Sequence, residues 1–394
     1  MKLKIESLKS IGANYYYIIL LVYVLTLFFN FIKVGQIAAV YMAVIAIVLF
    51  VVNTRGKFKL DLLIFAYIIY NILSLLWFPI EKLPYSVYFT EVAYTILPIS
   101  FYFVNHTISK DNFFIEKSMD AIFYSLVFGI VLYLWAPSFY GHFLYDRTMS
   151  GGTGMIHIRA VLQSVYGVTA VGTFSTIIAL YSFMKIIKGN KLKYWIWFII
   201  VIITSFLSAR RSAWLALIIV LVYFHYLLYI KFQKLTLTDF IIELTLIFLT
   251  IFSMNIFLLD QVNEILVRVD SMSEAIGGRS VSWISGILST NNIYLGNGLG
   301  SMSHTSRLFG NHGVYDGSYV KMYTETGFIG LSLLVLILVR AIFKGMRNIH
   351  KYYLEIGIIG VFMFQAIGSN VFAFQILAPI FWYSVGQCTN QRRG

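Results

Sequence analysis

Apolar runs of about 17 to 22 residues recur along almost the whole chain, separated by short polar loops, and each is long enough to cross a hydrocarbon core of roughly 30 Å as a helix. They lie near 14–32, 35–52, 62–80, 86–104, 119–137, 164–184, 194–209, 212–230, 240–259, 327–343, 352–369 and 371–387. A water-soluble fold cannot bury so much apolar chain. Composition agrees: the sequence is 59% hydrophobic and 12% charged, with a mean hydropathy of +0.80. The pattern predicts an all-α polytopic membrane protein of about 12 transmembrane helices, with residues 1–394 forming one integral membrane domain.

Orientation follows from the basic residues, which tend to stay cytoplasmic when they flank a span. Alternate loops hold Lys2, Lys4 and Lys9; Arg55, Lys57 and Lys59; Lys110 and Lys117; Lys185, Lys188, Lys191 and Lys193; Lys231 and Lys234; Arg340, Lys344, Arg347 and Lys351; and Arg392 and Arg393. Both termini are therefore expected inside. The first apolar run has the length of a full span and no small-residue cleavage site after it, so it is expected to remain as the first helix. The net charge of +13 is scattered over short loops, which fits anionic lipids of the inner leaflet and not nucleic acid. The single cysteine, Cys388, excludes an intramolecular disulfide and a metal site of several thiolates, and no pair of histidines has metal-ligand spacing.

The basic residues left on the outer side are mostly arginines: Arg147, Arg159, Arg210, Arg211, Arg268, Arg279 and Arg307. Arginine is a planar, permanently charged fork that binds phosphate or carboxylate bidentately, so its concentration on the side where positive charge is disfavoured suggests an anionic ligand. Arg210 and Arg211, in the loop SARRSAW between two apolar runs, are the sharpest case. An arginine at mid-membrane costs about 2.5 to 3.5 kcal/mol on insertion scales and less at the interface, so two of them call for compensation by a bound anion or by snorkelling to headgroups.

Two outer segments are long enough to build a site, 138–163 and 260–326, and the second is expected to form a small helical extracytoplasmic layer. In RSVSWISGILS, residues 279–289, Ile284, Ile287 and Leu288 share one helical face with Trp283 beside them. Gly277 and Gly278 precede this stretch, which predicts Arg279 in the first turn of a helix, where free amides and the helix dipole favour an anion. Pairing with Asp270 or Glu274 is the plain structural alternative. Residues 318–326, SYVKMYTET, read as a short helix feeding the span that opens at Gly327. Asp316 stands just before it, either as a helix cap or as a general base. His312 lies four residues earlier and is a second candidate for proton transfer, and Glu91, near the outer end of its span, is a minor one. The glycines of GNGLG, 296–300, have neither the preceding strand nor the following lysine of a nucleotide loop; they predict a turn allowing close backbone approach.

Three stretches together resemble the bacterial O-antigen polymerase and O-antigen ligase superfamily of membrane glycosyltransferases. Arg159 followed by LQSVYG resembles the arginine-led entry to a middle span; Arg211 in RRSAWLAL occupies the place of the arginine in the family's hairpin; Arg279 and Trp283, followed by LGNGLG and YDGSYVKMYTETGFIG, resemble the long outer loop and its exit helix. The resemblance implies a C-type glycosyltransferase fold in a bacterial inner membrane, with an active site facing the periplasm and acting on glycans carried by undecaprenyl diphosphate. It also implies no metal and no other cofactor. In the ligases a histidine followed by asparagine stands shortly before the glycine that opens the next span. The matching position here holds Asp316 and Gly317, as in the polymerases, although His312 keeps the ligase open.

On this resemblance Arg159, Arg211 and Arg279, assisted by Arg210, bind the diphosphate leaving group; Asp316 or His312 takes the proton of the attacking hydroxyl; and Tyr319 and Trp283 contact sugar or lipid. Displacement in one step predicts inversion at the anomeric carbon. Partners would be the lipid-linked glycan, surrounding lipids, a chain-length regulator and a flippase. A transporter is the rival from another class, but it predicts inverted repeats and paired charges at mid-membrane, which the sequence does not display.

Overall fold

The computed structural model describes residue 24 and residues 61–106, 113–135, 168–189, 192–208, 211–227, 272–310, 313–314, 316–374 and 376–389. The described residues are helical, with no strand among them. Apart from residue 24, the expected spans 14–32, 35–52 and 240–259 and the outer segment 138–163 lie outside the described residues. The chain divides into two compact units, Met1–Phe128 with Arg279–Gly394, and Gly129–Gly278.

In the first unit, α1 (Leu62–Leu73) continues as a 3₁₀ turn, Ser74–Trp77, and stops before Pro79. Helix α2 (Tyr85–Thr95) gives way to a 3₁₀ segment, Leu97–His106. The expected uniform span 86–104 is thus two elements. Pro98 supplies the reason, since it has no amide to donate and its ring crowds the carbonyl one turn back. Helix α3 (Phe113–Trp135) enters this unit through its first turns, with Phe114 against Phe101 and Tyr383.

The second unit holds α4 (Val168–Gly189), α5 (Leu192–Leu207) and α6 (Arg211–His225). Helix α4 is largely apolar and is buried along most of its length. Two of its hydroxyls are answered within the helix, Thr173 donating to Thr169 O and Thr176 to Gly172 O. Phe183 packs on Phe198 and Phe224, and the Trp214 indole donates to Ser205 O, closing the α5–α6 hairpin.

Returning to the first unit, α7 (Met272–Leu288) is followed by a glycine-rich loop and the one-turn α8 (His304–Arg307). Then come α9 (Ser318–Arg347), α10 (Ile349–Gly368) and α11 (Ala378–Thr389). Helix α11 is the hub, buried along its length and packed by α9, α10 and the 3₁₀ segment. The last apolar run becomes helical only from Ala378, while residues 369–374 and 376–377 run between helices. At one end of the unit Arg340 of α9 donates to Asp61, the N-cap of α1, which also accepts from the Tyr102 hydroxyl; Tyr102 accepts in turn from Thr389.

Among the described residues two helices are long and apolar enough to cross a membrane, Thr169–Ile187 and Ser318–Arg347, with shorter apolar stretches at Leu62–Trp77, Leu192–Ser205 and Ser212–His225. These suggest membrane association. Large apolar side chains are also exposed along α9, from Phe328 through Leu336 and Val339 to Phe343.

Candidate functional site

The end of the first unit opposite Asp61 and Arg340 is organised around a break in α9. Gly327 has φ +66° and ψ −169°, a region open essentially to glycine alone, and it separates a short helix, 318–326, from the long one beyond it. Such a break orphans carbonyls on one side and amides on the other. The glycine loop answers both sets. Asn297 N and Gly298 N donate to Thr324 O and Glu325 O, the Tyr70 hydroxyl donates to Thr326 O, and Phe328 N and Ile329 N donate to Ile293 O and Tyr294 O. A Cβ on Gly327 would overlap the Tyr294 carbonyl. Gly296, Gly298 and Gly300 all have positive φ and lie directly against Glu325, Phe78 and the Val87–Glu91 turn, so the loop makes the close approach its glycines predict. From the other side Trp77 donates to Leu295 O and Ser74 accepts from Leu299 N.

This clamp sets the short helix beside α7. The Arg279 Nε of α7 donates to Asp316 Oδ2 at 3.3 Å, and Trp283, one turn further on, donates its indole N–H to the Asp316 carbonyl. Both members of the ion pair are about 40% exposed. Asp316 is not a helix cap: the N-cap position belongs to Gly317, and no side chain caps the helix. Nor is Arg279 in a first turn, because α7 begins at Met272 and carries Gly277 and Gly278 in its interior. The amides around Arg279 are spent inside the helix, so its own guanidinium must do any anion binding. A carboxylate on Nε leaves the two Nη groups, the forked end, for a ligand.

Tyr319 and Trp283 are structural ties in this arrangement. The Tyr319 hydroxyl donates to Met363 O and its ring meets Phe372 edge-on, fastening α9 to α10 and to the segment after it. Nearby, the Ser318 amide and hydroxyl both donate to Ser369 O.

A second cluster lies along the same short helix. Lys321 is buried and donates to Glu91 of α2, with Glu325 Oε1 at 3.9 Å from its Nζ. Glu325 also accepts from Met302 N. Two carboxylates and one ammonium thus share a cleft lined by Glu91, Thr95, Ser318, Lys321, Glu325 and Asn370. Sequence reading kept Glu91 only as a minor candidate and missed its partners. The available signal was the i,i+4 spacing of Lys321 and Glu325 together with a lone acid in an apolar run, which needs a counter-charge.

Arg211 is the first residue of α6, and its side chain lies outside the described residues, as do Arg159, Arg210, His312 and Asp270. The described residues hold no group of three or more His, Cys, Asp or Glu able to bind a metal ion. No family model matches the chain, and no curated protein does.

Proposed function

We propose that this protein is a multi-span membrane glycosyltransferase that polymerises lipid-linked oligosaccharide repeat units into a surface polysaccharide, in a C-type glycosyltransferase fold of about twelve spans. The observation that carries this reading is the pairing of Arg279 with Asp316, a phosphate-binding fork held against a carboxylate in a half-exposed position. The sidedness read from the loops has support of the same kind. Asp61, Tyr102, Arg340 and Thr389, all expected at inner ends, contact one another, whereas Arg279, Trp283, Asp316, Lys321 and Glu91, all expected at or near the outer face, gather at the other end.

In this mechanism the donor is the growing chain on undecaprenyl diphosphate, and the acceptor is the non-reducing end of a newly delivered lipid-linked unit. The acceptor hydroxyl oxygen attacks the anomeric carbon, and the bond from that carbon to the diphosphate oxygen breaks. The proton passes to Asp316, and diphosphate leaves with the electron pair. Arg279 stabilises the charge that collects on it, with Arg159, Arg210 and Arg211 proposed to assist. The anionic leaving group is met by fixed cations, so the proposal invokes no metal.

The test is a gel of surface glycolipid from cells lacking the protein, complemented with wild type or with Arg279→Ala. Cores bearing a single repeat unit are the expected result. Loss of every repeat unit from the core, with polymer retained on the lipid carrier, would make the enzyme a ligase; an unchanged ladder would overturn both and return the chain to the transporter class.

A further inference from the structure

The part of α7 that carries Arg279 and Trp283 has three faces. At about 100° per residue, Arg279, Trp283 and Gly286 fall together, and their contacts with Asp316, Val314 and Thr324 mark that sector as the one facing the protein. Val281, Ile284, Ile287 and Leu288 lie in a second sector of about 120°, broken only by Ser280 between Ile287 and Ile284, and are exposed, Val281 by 68% and Leu288 by 80%. Ser282 and Ser289 lie between the two, on the remaining side. A helix standing free in water has no reason to present an apolar stripe outward.

The stripe is also not isolated. It runs into exposed Ile293 and Tyr294, whose carbonyls accept from the amides of Phe328 and Ile329, and the exposed side chains of those two residues open the apolar surface of the long helix. We infer that the outward face of α7 is an interfacial membrane contact: Val281, Ile284 and Leu288 are immersed in the acyl chains of the leaflet on the Arg279 side, and the serine sector faces water. Helices of this kind sit with their apolar face about 5 to 10 Å into the headgroup and acyl boundary. Arg279, on the same helix, is then held at the depth of lipid phosphates, where the diphosphate of a lipid-linked substrate must lie. The inference rests on the membrane reading above and not on the sugar chemistry.

Cys388 is buried and is the chain's one cysteine, so a Cys388→Ser background permits single-cysteine labelling. Ile284→Cys, Leu288→Cys, Ser289→Cys and, on the long helix, Leu336→Cys are treated with a charged maleimide in native vesicles made leaky by freezing and thawing. Ile284→Cys, Leu288→Cys and Leu336→Cys should label at least an order of magnitude more slowly than Ser289→Cys. A nitroxide at position 284 should be relaxed more by oxygen than by a water-soluble nickel chelate. Fast labelling at 284 and 288 with Leu336→Cys protected overturns the interfacial contact alone. Fast labelling at Leu336→Cys as well overturns the membrane reading beneath it. Protection at 289 together with 284 and 288 overturns the three-face assignment, and a nitroxide reached by neither relaxant means that protein, not lipid, covers the face. If Ile284→Cys fails to accumulate, Val281→Cys on the same face replaces it.

Discussion

Residues 316–325 contribute to two ion clusters, and the clusters live in opposite surroundings. Arg279 and Asp316 form one half-exposed pair, whereas Glu91, Lys321 and Glu325 are buried. Solvent decides what each can do. An exposed pair contributes about 0 to 1 kcal/mol to stability, so either member can exchange its partner for a ligand at little cost. A buried charge that loses its partner is left uncompensated where water cannot reach it, and the fold suffers. The first cluster has the properties of a working site and the second those of a structural joint between α2 and α9.

Lys321→Met puts that contrast under the greatest load, because it leaves two buried carboxylates facing each other. It should lower stability by about 3 to 5 kcal/mol, read as loss of folded protein in a thermal unfolding assay, and adding Glu91→Gln should recover part of the loss. Should Lys321→Met fold as well as wild type, the cluster is not a joint. Arg279→Ala is the counterpart. Unfolding should change by less than about 1 kcal/mol while polymer formation falls by about 10² to 10³; an equal loss of stability and activity would erase the distinction between the two clusters. Asp316→Asn sharpens it further, since asparagine keeps the shape and cannot accept the proton: activity should fall with protein level unchanged, and full activity removes Asp316 from the chemistry.

Smaller effects probe the frame around the clusters. Gly327→Ala forces a side chain into a conformation and a space meant for none, and should cost about 1 to 3 kcal/mol or more, measured as a lowered unfolding midpoint. The smallest effect belongs to the opposite end of the unit. Burial works to raise the Asp61 carboxyl, but the Tyr102 hydroxyl and the Arg340 guanidinium outweigh it and hold the group below its ordinary value. A depressed folded value means that the contribution is fully present above the unfolded aspartate value of about 3.9 and fades as pH falls through the lower folded one. Acid unfolding followed from neutral pH downward should show this limb in wild type and not in Asp61→Asn.

Local patterns are legible in the sequence. Apolar runs located α1 to α6, α9 and α10, and the stretch SYVKMYTET with Gly327 after it announces a short helix and a break, because run length and turn chemistry depend on neighbours in the chain. The same neighbours misled where a longer range prevailed. Gly277 and Gly278 look like a helix boundary, yet α7 runs through them with open space on that side, and a glycine inside a helix is a cost of only about 0.5 to 1 kcal/mol.

The sequence by itself determined that this chain is helical, strongly apolar, and richest in arginine on one side of its expected plan. Only the tertiary structure decided that Arg279 meets Asp316 and that Lys321 meets Glu91, 230 positions away. A helix pattern is written every three or four residues and can be read along the chain. A salt bridge between distant segments depends on which helices are neighbours, and that depends on the packing of the whole unit around α11.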